Sequence, residues 1–237
     1  MRNGESTYNP IQFLSLLLIM NNMAGAFDPR LLDPDALDSY TWGWMKTRNE
    51  PISSEQYLIF AEEDLGDGNS ARNLVNAITN AKRALHLRME DMCLGFGFNA
   101  FGGPKSFPRM VDYISRFGIA APRILNRLNQ LRNQVEHDYI SPNLQDVETL
   151  IDVASLFIAA TQRWINRQPS FVEGYQEVTL KGQPAAVKSL SFDWLHGIAT
   201  LTFSGGRQNE SQQQQIHYTC PSEEFFICGR FAIVNEW

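Results

Sequence analysis

The stretch PRILNRLNQLRNQVEHDY, Pro122 to Tyr139, decides how the rest of this chain is read. Its proline sits where a first-turn proline costs a helix no hydrogen bond. Ile124, Leu128, Leu131 and Val135 follow in 4-3-4 steps, which is one buried helical stripe. At the end of that stripe come Arg132, Asn133, His137 and Tyr139, a guanidinium, an amide, an imidazole and a phenol within eight residues. The break at Ser141-Pro142 reads as the N-cap and first-turn proline of the next helix.

Those side chains suit cleavage of RNA at its own 2′-hydroxyl. A base must take the hydroxyl proton, and histidine titrates near neutrality. Negative charge on the phosphoryl oxygens must be held, and arginine offers a planar fork that stays charged. His137 is then the candidate base and Arg132 the phosphate clamp. Asn133 would orient substrate or imidazole, and Tyr139 would donate to phosphate or be modified. Five residues turn an unbroken helix through about 500°, so Arg132 and His137 would stand about 140° apart. They converge if the helix loosens after Val135, or if a second subunit sets its own copy opposite. The same residues also have a purely structural reading. Arg132 can pair with Glu136 one turn on, His137 can sit at a helix C-terminus favoured by the macrodipole, and Tyr139 can pack its ring.

Working outward, the flanking sequence is helical in period. Ser53 to Gln56 fits a capping box ahead of YLIFAEEDL, and Gly66-Asp67-Gly68-Asn69 is a break. From Ser70, the residues Leu74, Val75, Ile78, Ala81, Leu85, Met89 and Met92 keep three- and four-residue steps on one face to about Leu94. A glycine-rich loop and a shorter helix from about Pro108 to Phe117 come next, and Leu144 to Ile165 supplies another buried stripe. After Pro169 the texture becomes β-prone, with strands expected at 177–180, 186–192, 198–203, 216–219 and 225–234, and a hairpin tip at Trp194 to Gly197. The expected architecture is mainly α with a β-rich tail, an antiparallel four-helix bundle plus a small antiparallel sheet. Residues 1–52 read as an irregular N-terminal extension, 53–168 as the bundle and 169–237 as the β-rich region.

Arg132-x4-His137-x-Tyr139 on the third helix of such a bundle, with Asn133 directly after the arginine, resembles the HEPN superfamily, and within it the HepT-like proteins. The resemblance covers about Tyr57 to Arg167, and the YLIFAEEDL helix shares it. It implies a HEPN-like four-helix fold and a homodimer in which two arginine–histidine pairs line one cleft and cleave RNA without metal. It also implies that Tyr139 is the tyrosine a partner nucleotidyltransferase antitoxin modifies with AMP, in a toxin–antitoxin or defence setting. The N-terminal extension and the β-rich tail go beyond that pattern, as does Glu136 directly before the histidine. A non-catalytic dimeric interaction module is the rival reading, and nucleotide binding without cleavage a third.

Charge and composition frame these readings. The chain of 237 residues has a net charge of −6, which argues against indiscriminate nucleic-acid binding. Residues 71–168 carry 12 Lys and Arg against 8 Asp and Glu, a surplus of 4, so the remainder carries the deficit. Three cysteines without CxxC spacing suit free thiols in a reducing cytoplasm. The apolar run Phe13 to Met20 is too short to span a bilayer and lacks the lead-in of a signal peptide, so it reads as a buried helix and no membrane partner is expected. His86, His196 and His217 have neither metal-ligand spacing nor a partner adjacent in sequence that would make them catalytic, and neither a metal nor a cofactor is expected.

Overall fold

The computed structural model describes residues 27–48, 51–119, 123, 125, 142–205 and 213–235. The helices begin where their caps are strongest. α1 (Ser54–Gly66) starts after Ser53, whose side chain accepts from the Gln56 backbone N–H, and α2 (Ala71–Gly95) starts after Ser70, which accepts from Asn73. α2 buries Leu74, Ile78, Ala81, Leu85, Met89 and Met92 on one face, as their spacing predicts, while Val75, expected on the same stripe, lies off that face and is exposed. A single turn, α3 (Phe98–Phe101), leads to α4 (Phe107–Arg116), which has Pro108 in its first turn. α5 (Leu144–Thr161) is capped by Asn143, which accepts from Asp146. The expected cap at Ser141-Pro142 is therefore displaced to Asn143, whose amide reaches the free N–H at the third helical position.

The expected architecture of a four-helix bundle with a small appended sheet is overturned. The described residues form six helices and a central five-stranded antiparallel sheet, ordered β1-β2-β3-β4-β5. Three features enlarge the sheet and change its surroundings. β1 (Leu37–Gly43) comes from the segment expected to be irregular and pairs with β2, placing Tyr40 opposite Val172. β2 (Gln168–Leu180) and β3 (Gln183–Asp193) are 13 and 11 residues long. They are bent by register shifts between Glu173 and Gln176 and between Val187 and Ser189, and such bulges interrupt simple alternation. β4 (Ile198–Gly205) and β5 (Gln213–Thr219) complete the meander, β5 beginning three residues before the expected strand at 216–219. Third, the expected last strand is a helix, α6 (Glu223–Val234). Ser222 caps it, Glu223 and Glu224 occupy its positive first turn, and Phe225, Phe226, Cys228, Gly229, Ala232 and Ile233 are buried at helical spacing.

One face of the sheet shares a continuous core with the helices. At its centre Phe96, Tyr113, Phe117, Trp194, Phe225 and Phe226 form a largely edge-to-face aromatic cluster, the edge-to-face pairs having ring centroids 5.2 to 6.0 Å apart, the geometry that ring quadrupoles favour. Buried polar ends are satisfied there. The Trp194 indole donates to the Pro169 carbonyl at 2.6 Å and Tyr113 donates to the Phe96 carbonyl at 2.6 Å. The expected hairpin tip is present, with Asp193 opposite Ile198. It is seated by Gly97, whose φ is +87° and whose missing Cβ would stand 2.7 Å from the Trp194 carbonyl oxygen. No helix among the described residues is long and apolar enough to cross a membrane; the run Phe13 to Met20 lies outside them.

Candidate functional site

Arg132, Asn133, His137 and Tyr139 all lie outside the described residues. Their flanks are described. Upstream, α4 ends at Arg116 and Gly118 turns the chain at φ +79°. Arg123 and Leu125 are helical, Arg123 exposed and Leu125 only 2% exposed and part of the core. Downstream, the Asn143 cap opens α5.

α5 is fixed against α1 and α2 by a buried cation that the sequence reading passed over. Arg88, on α2, has no exposed surface. Its Nε donates to Ser54 Oγ at 3.2 Å, and its Nη1 donates to the Ile158 carbonyl and Thr161 Oγ1, both at 3.4 Å. Its Nη2 donates to Gln162 Oε1 at 3.1 Å and pairs with the Glu55 carboxylate. Burial lowers the Arg88 pKa from its ordinary value, opposed by the nearby Glu55 and Asp91 charges. For Glu55 the balance runs the other way. Burial raises its pKa, but its own backbone N–H, Arg88, Ser54 and Ser53 outweigh that and hold the carboxyl below 4.5. This network clamps helices together; its polar groups are occupied by one another.

The described histidines are likewise engaged. His86 stacks on Phe107 with ring centroids 5.7 Å apart, and its Nε2 lies 3.4 Å from Glu90. His196 Nδ1 lies 2.7 Å from Asp193 Oδ2 at the exposed hairpin tip. His217, for which the sequence offers no partner, meets Thr200 across β4 and β5, with Nδ1 and Oγ1 2.8 Å apart. Burial lowers its pKa. No thiol is activated as a nucleophile. Cys93, Cys220 and Cys228 are free. Burial pushes Cys93 and Cys228 well up, and it pushes Cys220 up to about 11 against the opposing influence of Tyr113 and Arg116. Among the described residues no group of three or more His, Cys, Asp or Glu side chains could hold a metal ion.

Compared with family models, curated proteins and solved structures, the chain finds no match.

Proposed function

We propose that the chain acts on RNA, as a metal-independent endoribonuclease or an RNA-binding protein, through Arg132 and His137. The observation that carries the reading is the eight-residue run Arg132 to Tyr139 itself. It sets a phosphate-binding fork and a neutral-pH base close together, whereas the described histidines are engaged by Glu90, Asp193 and Thr200. In the proposed step His137 takes the proton of a 2′-hydroxyl and the 2′-oxygen forms a bond to the adjacent phosphorus. The P–O5′ bond breaks, and the 5′-oxygen leaves with a proton returned by the imidazolium, giving a 2′,3′-cyclic phosphate. Arg132 neutralises the non-bridging oxygens throughout.

The resemblance of this run to HepT-like HEPN proteins supports a homodimer that brings two such pairs together. It also supports a nucleotidyltransferase antitoxin that silences the protein at Tyr139, in a toxin–antitoxin setting. Three free thiols fit a cytoplasmic location. Arg132→Ala and His137→Ala should each remove at least about 99% of the cleavage rate, as loss of a positioned general base or charge clamp does, with the circular dichroism unchanged. Arg132→Lys should rescue poorly, because a point charge lacks the fork. Wild-type rates in both alanine variants would end the proposal. A second reading, a non-catalytic dimeric interaction module, draws on Trp44 and Leu156, apolar side chains that are 83% and 70% exposed. A dimer that binds no RNA would favour it.

A further inference from the structure

We propose that the edge formed by α4 and α6 is a contact surface for the phosphodiester backbone of single-stranded RNA. The inference rests on the RNA-directed reading above and adds to it the surface that would hold the strand. Arg109 and Arg116 are seven apart on α4, within about 20° of one another around the helix. The Arg109 guanidinium lies 5.1 Å from the centre of the Phe101 ring, and that of Arg116 lies 5.8 Å from Phe101 and 4.8 Å from Phe226. Arg109 is held further by donating to the carbonyls of Gly102 at 2.9 Å and Pro104 at 3.3 Å. From α6, Arg230 reaches across the end of α4, its Nε 3.4 Å from where a Gly118 Cβ would stand.

The charge of this edge runs against that of the chain. Phe96 to Arg123 holds Lys105, Arg109, Arg116 and Arg123 against Asp112 alone, a net of +3, and α6 adds Arg230 against Glu223 and Glu224, so the two together carry +2 in a chain of −6. Asp112 lies 3.4 Å from Arg116 Nε, and Glu223, at the start of α6, is taken by Arg30 at 3.3 Å. Among the described residues no carboxylate pairs with Lys105, Arg109 or Arg230. Guanidinium groups already positioned by rings lose little freedom on meeting a phosphate. The Phe101 and Phe226 rings are taken up by those guanidiniums, so what the edge presents outward is positive charge. A positively charged edge tracks a phosphodiester backbone without reading its sequence.

The test is fluorescence anisotropy of the full chain with a labelled 2′-O-methyl oligonucleotide, which binds but cannot be cut. Wild type is compared with R109Q/R116Q/R230Q and with the single variants R116Q and R230Q. The triple variant should bind about tenfold or more weakly at low salt, and its log Kd against log salt slope should fall by about 2, roughly 0.7 for each lost contact. The single variants, which keep most of the packing, should fall between. Folded R116Q and R230Q with wild-type affinity and salt slope would overturn the proposal. So would displacement of the oligonucleotide by polyglutamate as readily as by unlabelled RNA, which would assign the edge to acidic proteins. Patch-dependent binding without cleavage by wild type would leave this surface standing and remove the nuclease. Cleavage by His137 with patch-independent binding would do the reverse.

Discussion

Replacing Arg88 by methionine tests the packing of α5 against α1 and α2 more sharply than any surface change. Removing one partner of a fully buried ion pair costs about 3–5 kcal/mol, because the other charge is left stranded. Here the stranding is incomplete. The Glu55 side chain is 42% exposed and can recover water. Ser54 still donates to Glu55 at 3.0 Å, and Thr161 still donates to the Phe157 carbonyl at 2.7 Å. Methionine also fills much of the vacated volume. The expected loss is therefore about 2–3 kcal/mol, and about 4 for Arg88→Ala, where a cavity is added. With a urea slope of about 2–3 kcal/mol/M, the midpoint for the methionine variant should fall by about 1 M.

Glu55→Gln combined with Arg88→Met should cost less than the sum of the two, by about 1 kcal/mol. The pH dependence has a definite sign. The Glu55 carboxyl is held below 4.5 in the folded chain, so its stabilisation is complete above that pH and is lost as pH falls through the folded value. The gap between wild type and Arg88→Met should narrow as the solution is acidified. A midpoint within about 0.2 M of wild type for Arg88→Met would refute the network as a clamp.

Gly97→Ala should cost about 2–3 kcal/mol, combining a left-handed φ of +87° with a Cβ 2.7 Å from the Trp194 carbonyl oxygen, and thermal melts would show it. Thiol labelling of the native protein should modify Cys220 before the buried Cys93 and Cys228, and faster as pH rises toward about 11. Mass mapping that finds Cys93 or Cys228 first would contradict the packing. His217 should titrate below 6.5 by NMR, because burial disfavours its charged form. The stability it lends as a neutral ring is present above 6.5 and is lost as pH falls through the folded midpoint; a midpoint at or above 6.5 counts against the Thr200 pairing environment.

Much of the helical part was legible because its signals are local. Ser53 and Ser70 mark α1 and α2 by caps that need only neighbouring residues, and the stripe from Leu74 to Met92 follows the helical period. The sheet was not legible to the same degree. β1 lies in a turn-rich segment behind Asp28-Pro29 and Asp33-Pro34, and only its pairing with β2 makes it a strand. The bulges in β2 and β3 break alternation, hiding how long those strands are. Phe225-Phe226-Ile227 is β-prone by composition, yet Ser222 and two glutamates in the first turn start a helix there; the cap outweighs propensity. Arg88 reads as one more charged residue beside Leu87. Its place three after Leu85 and four before Met92, on the buried stripe, was the available sign that it lies inside. The partner of His217 depended on strand register, which no short window contains.

The most direct measurement is cleavage of mixed single-stranded RNA in EDTA by the full chain, wild type beside His137→Ala, with the ends identified by mass spectrometry. The account predicts 2′,3′-cyclic phosphate ends from wild type and intact RNA from the variant. Intact RNA with both, from protein that is folded and free of any modification on Tyr139, would contradict it.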